Sequence, residues 1–421
     1  MISTTKKKLV FGIDIGTTKV TTLVGEILTD GLINIIGIGN CSSKGIKNGS
    51  VNDLESIIKC IKKSIQQAEI MSKCRISSVH LSLSSKDINC QNEIGIVPIN
   101  QGKVNEEDIK NVIFIAKSVQ IYNEHYILHV LPQEYQIDQQ TGIKNPTGLS
   151  GIRMKAEVHL ITCHKKIEQN LIKYIEKFGL KVNQLIFSGL ASSEAVLTEE
   201  EKNLGVCLID IGGGTMDIII YIAGILKHSQ VIPYAGNTIT NDIAYAFSTS
   251  QINAENIKTL YGKAINSNKK NKEKILTTDI AGTQNKKIKK DKLIEIIEPR
   301  CSELFELVNQ EIISLQRKLK KNGSKYQLLS GIVLTGGGSK MKNVSKCAEK
   351  IFNKKVRIGF PKKITGITKN INDPNYSTAI GLLHFGKKIY MEKLKKNKHL
   401  KKKNIFSVYF KKINNWIKNK F

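Results

Sequence analysis

Acidic residues are scarce in this 421-residue chain, with 36 Asp and Glu against 65 Lys and Arg and a formal net charge of +29. Such an excess invites a nucleic-acid reading, because basic chains attract phosphate backbones without regard to sequence. The lysines are dispersed or bunched in apparent loops (Lys269, Lys270, Lys272; Lys286, Lys287, Lys289, Lys290), and none of these loop clusters is interleaved with aromatic residues. Solvated charge and drift towards A/T-rich codons explain the balance, and no specific nucleic-acid partner is expected. Paired cysteines are lacking too. The eight cysteines include no Cys-x-x-Cys, which argues against a zinc ribbon or disulfide framework and for reduced thiols in a cytoplasmic protein. No N-terminal apolar segment and no bilayer-length apolar run occurs, so neither export nor a transmembrane span is expected. The length suffices for two or more domains with substantial cores.

Against these absences stand two similar motifs, each an apolar run that closes in an acidic, glycine-rich turn. The first runs Leu9-Val-Phe-Gly-Ile-Asp14-Ile-Gly16-Thr17-Thr18-Lys19. The second runs Val206-Cys-Leu-Ile-Asp210-Ile-Gly212-Gly213-Gly214-Thr215-Met-Asp217. Each predicts a buried strand, a tight turn and a second strand (Val20–Val24; Ile218–Ile222). Glycine lets the backbone come close to a ligand, exposed N–H groups in such turns make concavities for anions, and the Asp suits Mg²⁺ or its water shell. Either turn alone could equally close a hairpin that binds nothing. A repeated turn points to two related halves gripping one polyphosphate.

A third glycine-rich turn, Thr335-Gly336-Gly337-Gly338-Ser339, follows the apolar run from Gly331 and precedes a helical pattern, an arrangement suited to a nucleoside with phosphate near a helix N-terminus. No Gly-x-x-x-x-Gly-Lys-Ser/Thr is present, which excludes the P-loop, and Gly37-Ile-Gly39 lacks the third glycine of the dinucleotide fingerprint.

These turns resemble the actin-like ATPase superfamily. Within it the stretches Val51-Asn-Asp-Leu-Glu-Ser, Cys90-Gln-Asn-Glu-Ile-Gly, Gly142-Ile-Lys-Asn-Pro-Thr-Gly-Leu-Ser-Gly151, Gly189-Leu-Ala-Ser, Ile297-Glu-Pro-Arg300 and Tyr376-Ser-Thr-Ala-Ile-Gly-Leu-Leu-His384 resemble the FtsA family, bacterial division proteins that tether FtsZ filaments to the membrane. The resemblance runs from about Lys8 to Phe421. It implies an α/β, actin-like fold of two related halves around a cleft for ATP and Mg²⁺. Asp14, Gly16, Thr17, Thr18 and Lys19 would meet phosphate or metal from one side. Gly212, Gly213, Gly214 and Thr215 would do so from the other, with Asp210 oriented to Mg²⁺ through water. Gly336, Gly337, Gly338 and Ser339 would flank adenosine. Gly236 and Asn237 would lie near phosphate or ribose, with helix capping by Thr238 or Thr240 as an equal alternative. DnaK-type relatives tend to carry glutamate where this chain has Ser188, so at most weak ATP hydrolysis is implied. Glu194 could compensate, or be a surface charge.

The same resemblance organises the chain. Residues 6–84 form the first part of subdomain 1A, with an amphipathic helix over Asn52–Met71 and a strand Val79–Ser84. Residues 85–163 are the inserted subdomain 1C, with a strand near Ile94–Ile99, a helix Glu106–Val119 and strands near His125–Val130 and Ala156–Ile161. Residues 164–198 return to 1A, with a helix Lys166–Phe178, a strand Gln184–Phe187 and a crossing helix that begins at Ser188, an expected hinge. Residues 199–239 open subdomain 2A and 240–300 form 2B, with a mobile polar loop expected at 266–291. Residues 301–386 complete 2A and return to 1A, led by a helix Leu304–Leu319. Arg300 would pair with a carboxylate of the acidic FtsZ C-terminal peptide, or form an ordinary surface salt bridge.

Residues 387–404 read as a basic flexible linker. Beyond it, Phe406, Tyr409, Phe410, Ile413, Trp416, Ile417 and Phe421 recur at helical spacing, flanked by Lys411, Lys412, Lys418 and Lys420, in a segment that holds the only tryptophan. A basic amphipathic helix over 405–421 fits the anionic inner face of a bacterial membrane, and docking on the protein's own core or on a partner groove is the alternative. The implied partners are therefore FtsZ, anionic lipid, further divisome proteins at 1C, and other copies of the chain in a head-to-tail polymer. A kinase of the same superfamily would share the turns but have no use for the terminal helix. A DnaK-type chaperone would need a substrate domain after the ATPase.

Overall fold

Two sheets of the same topology form the two halves. The computed structural model describes residues 7–47, 49–118, 124–265, 273–279, 285–321, 327–367 and 371–395. In the first half Leu9–Ile15, Lys19–Ile27 and Ile33–Ser42 make an antiparallel meander. Ser78–Leu83 and Lys181–Phe187 extend it in parallel from the Leu9–Ile15 side, and Ile364–Gly366 adds a sixth strand at the far edge. In the second half Val206–Ile211, Met216–Ile222 and Ile225–Ile232 repeat the meander, with Ile332–Thr335 and Val356–Ile358 as the parallel extension. The expected duplication is thus present strand for strand.

Sequence dictates how these sheets are covered. Ile33–Ser42 alternates buried and half-buried residues, the pattern of a strand with one face on a core. Against it lies the helix Leu54–Ser72, which Asp53 caps and which buries Ile57, Ile61, Ile65 and Ala68. Crossing between the halves, Ser188–Val196 is buried at every position except Glu194 and packs on strands of both sheets.

The insert folds as a separate four-stranded antiparallel sheet in the order Asn89–Pro98, Arg153–His164, His125–Ile137, Gln140–Ile143. Its helix Glu106–Lys117 starts from a capping box of Asn105 and Asp108. The insert docks on the edge strand Ile225–Ile232 of the second half. Gln133 donates to the Leu226 carbonyl, His159 Nε2 meets Ser229 Oγ at 2.7 Å, and Lys227 lies 3.7 and 3.9 Å from Glu134 and Glu157. Burial lowers the His159 pKa to about 3, so the ring is neutral in this contact.

Three expectations are corrected. The stretch expected to be a mobile loop contains a hairpin, Lys274–Thr278 with Asn285–Lys289, whose Ile275 and Ile288 reach the second core; residues 266–272 and 280–284 lie outside the described residues. The helix expected from Leu304 runs from Lys290 to Lys321 with Pro299 inside it, so the 300/301 boundary falls within one helix. The linker expected from 387 is helical through 395, in a helix that begins at 377; Phe385 and Tyr390 pack on the first core. Among the described residues no helix is long and apolar enough to cross a membrane. The expected terminal helix, with Phe406, Phe410, Lys411, Lys412, Ile413, Trp416, Ile417 and Lys418, lies outside the described residues.

Candidate functional site

The duplicated turns close with the same hydrogen bond. Gly16 N donates to Lys19 O at 3.0 Å, and Gly212 N donates to Thr215 O at 2.9 Å. A Cβ at either glycine would lie 3.0 Å from that carbonyl. The turns also touch one another, since a Cβ on Gly213 would fall 2.3 Å from Thr18 Cγ2. The third turn needs glycine for both reasons the residue offers: Gly336 has φ +79°, and a Cβ there would sit 2.2 Å from Asp210 Oδ1.

All three turns face one cleft of about 470 Å³ between the halves, within the range of small-molecule sites. Asp14, Gly16, Thr17, Thr18, Lys19, Asp210 and Gly212 to Thr215 line it, as do Gly236, Asn237 and Gly336 to Gly338. One residue expected there, Ser339, does not, and Arg300, expected at a partner surface or in a surface salt bridge, lies elsewhere. Ser339 is buried and turns its hydroxyl back to the Gly336 carbonyl at 2.7 Å. Arg300 lies away from the cleft, paired with Asp242 at 2.5 Å and with Glu303.

Gly236 opens the helix Gly236–Phe247, which has no side-chain cap, so the capping alternative for Thr238 or Thr240 does not hold. The first amides donate instead to the second turn, Gly236 N to Gly212 O at 3.1 Å and Asn237 N to Gly213 O at 2.7 Å. Lys19 lines the cleft but donates to Asn375 O at 3.0 Å and lies 3.7 Å from the Tyr376 ring centroid. Glu194 is neither a cleft residue nor a free surface charge. It accepts from buried Lys202 at 2.8 Å, and although burial pushes its carboxyl up, that ammonium holds it below the usual value.

Several lining residues carry no motif signal. Ser84 comes from a strand end of the first half and donates to Asp217 Oδ1 at 2.6 Å across the cleft floor. Glu255 and Lys258 come from the helix Gln251–Tyr261, where buried Lys258 donates to Gly236 O at 2.9 Å and pairs with Glu255 at 2.7 Å. Asp217 had a signal that went unassigned, as the last acid of the second motif.

Charge in the cleft is one-sided at its floor. Burial raises the pKa of Asp14, although Ser82 donates to it at 2.6 Å. Burial, with Asp14 nearby, raises Asp210 to about 6, and burial with Asp210 nearby raises Asp217 well above the ordinary range. Asp210 and Asp217 are buried and Asp14 is half-buried, and three carboxyls this close make a floor that favours a cation.

Two halves that share a five-strand topology, a helix crossing between them and a glycine-lined cleft at their junction define an actin-like fold. Solved structures agree on the fold: a PilM–PilN type IV pilus biogenesis complex superposes with TM-score 0.64 at 15% identity, covering 90% of this chain and 98% of that one. MreB5 of Spiroplasma citri, solved with ADP, superposes with TM-score 0.52 at 17% identity, covering 93% and 98%. Residues 207–381 match the family model described as cell division protein FtsA, and residues 85–162 match the SHS2 domain inserted in FtsA. The FtsA proteins of Buchnera aphidicola subsp. Acyrthosiphon pisum and of Escherichia coli K12 are 58% and 52% identical to this chain, each over the full length of both sequences. The chain belongs to the FtsA family of cell division proteins.

Proposed function

We propose that this protein is an ATP-binding, actin-like scaffold that polymerises head to tail, joins FtsZ filaments to the inner face of the bacterial membrane and recruits later division proteins through residues 85–163. The observation that carries the reading is the convergence of two equivalent turns, Asp14–Lys19 and Asp210–Thr215, with the turn at Gly336 on one cleft of about 470 Å³. Free N–H groups at such turns suit phosphate, and the apolar Ile239, Phe305, Met341 and Val344 further along the cleft suit a base.

Mg²⁺ fits the donor set. Asp210 is a buried acid and Asp14 a half-buried one, both with raised pKa values, and a cation between phosphate and these carboxylates would relieve their repulsion. Mg²⁺ takes six oxygen ligands and keeps several waters, so the carboxylates of Asp14 and Asp210 would share it with water and phosphate oxygens. The ion would neutralise phosphate charge. Lys258 and Glu255, held rigidly at the helix start, would position the nucleoside.

Support for the FtsZ contact comes from the 240–300 region, whose helices Gly236–Phe247 and Gln251–Tyr261 expose Tyr245 (90%) and Ile252 (74%) in the subdomain that includes Arg300. Support for membrane attachment comes from the sequence pattern of Phe406 to Phe421. ATP binding then gates subunit association rather than driving rapid turnover.

Fluorescent-ATP titration tests the core of the proposal. Asp210→Ala should weaken Mg-ATP binding at least tenfold while circular dichroism stays that of the wild type. Unchanged affinity in Mg²⁺ would mean that the second turn is not a phosphate site.

A further inference from the structure

A second crevice, of about 280 Å³, lies behind the first glycine turn. Its walls are apolar: Ile46, Val51 and Leu54 face Leu83, Ile167 and Leu171. Polar groups of Ser50, Asn52, Asp87, Asn170 and Tyr174 also line it. Among the described residues the Ser50 hydroxyl is buried and has no hydrogen-bond partner, a state that native interiors seldom leave unmet. Among the described residues no Lys or Arg side chain lines the crevice, although the chain carries a formal +29. Its one carboxylate among the described residues, Asp87, accepts among them only from Ser85 Oγ, at 3.1 Å, and so keeps capacity for another donor. Among the described residues an anion entering here would meet a carboxylate and no cation.

The crevice also shares a wall with the main cleft. Ile15, Gly49 and Ser84 line both. Gly49 has φ +76° and packs backbone against backbone, so that a Cβ there would lie 2.2 Å from Ser84 O. From this wall Gly49 N donates to Thr17 Oγ1 at 3.4 Å, and Ser84 Oγ donates to Asp217 at 2.6 Å. An occupant that shifts the wall therefore shifts contacts to both duplicated turns.

We propose that this crevice is a second small-molecule site. It takes an amphipathic molecule with an aromatic or alkyl body and a cationic N–H donor end, and its occupancy alters affinity in the main cleft. The coupling, unlike the site, rests on the ATP reading given above.

Ligand-observed NMR on the full chain tests the site with benzamidine as probe and benzoate as its anionic counterpart of similar size. Benzamidine should bind saturably and benzoate at least tenfold more weakly. Leu171→Trp, which fills the crevice, and Asp87→Asn, on its half-buried rim, should each weaken benzamidine at least fivefold. Because Leu171→Trp could disturb the fold, Asp87→Asn decides. Absent benzamidine binding, equal binding of the two probes, or no effect of Asp87→Asn overturns the site. Saturating benzamidine should change the Kd for fluorescent ATP at least threefold, and an unchanged Kd overturns the coupling. If ATP binds in neither condition, the nucleotide reading and the coupling both fall, and the NMR comparisons still decide the crevice.

Discussion

At Gly39 the packing leaves no room for one carbon. A Cβ there would lie 1.8 Å from the Ser64 carbonyl, and one at Gly37 would lie 2.7 Å from that of Ala68. The Gly37-Ile-Gly39 spacing that looked like part of a dinucleotide fingerprint is instead the seat of the helix Leu54–Ser72 on its strand. Gly39→Ala should destabilise the fold by about 1–3 kcal/mol or more, since the obstacle is backbone rather than a flexible side chain. Urea denaturation measures this, and a loss below about 0.5 kcal/mol would deny the close contact. Arg300 belongs to the same scale. Its charge is already shared with Asp242 and Glu303, so Arg300→Glu would set three carboxylates together. FtsZ-tail peptide binding should weaken at least fivefold with ATP affinity unchanged, and an unaltered peptide isotherm would send that docking site elsewhere. At this scale, motif spacing revealed Asp14, Asp210 and the glycines because turns are local. Ser84, Glu255 and Lys258 stayed hidden because each reaches the cleft from a distant element.

Among the elements, the short helix Glu199–Leu204 depends on one carboxylate used twice. Thr198 and Glu201 form its capping box, and Glu201 also accepts from Arg357 Nε at 2.7 Å and Nη2 at 2.8 Å, tying the helix to the edge strand Val356–Ile358. Arg357→Met should cost about 1–3 kcal/mol, the worth of a partly exposed, charge-assisted pair. Burial pushes the Glu201 carboxyl up, but Arg357 and the Thr198 amide outweigh it and hold the folded pKa below the ordinary 4.5. The pair's contribution is thus present above 4.5 and lost as pH falls through the folded value. Urea midpoints of wild type and variant should differ by a constant amount near neutrality and converge in acid; a gap independent of pH would assign the effect to packing. Periodicity placed most helices to within a few residues, as for Glu106–Lys117 and Lys165–Glu176. It failed where a local signal was overruled by tertiary packing. Pro299 reads as a breaker yet sits inside a helix that buries Leu293, Ile297, Cys301 and Leu304, and lysines after 387 read as linker although Tyr390 keeps that helix on the core.

For the whole molecule, duplication was legible in the sequence because both turns retain their glycines, whereas the docking of the insert on Ile225–Ile232 was not, being made by scattered polar residues. Deleting residues 405–421 should release the protein from anionic liposomes while ATP binding stays as in the wild type. A truncated protein that still sediments would assign those residues to core or partner docking. Helix 377–395 adds a mechanical consequence. It is let into the first half through glycines: a Cβ on Gly12 or Gly25 would lie 2.9 or 3.0 Å from Leu382 or Leu383, one on Gly381 1.9 Å from the Ala191 carbonyl, and one on Gly386 3.0 Å from His80. A pull applied at residue 395 along the helix axis would therefore act in shear on the sheet and the crossing helix together. Contacts loaded in shear give way collectively, while contacts that are peeled fail one at a time. Tension applied at residue 395 would thus pass into both halves at once.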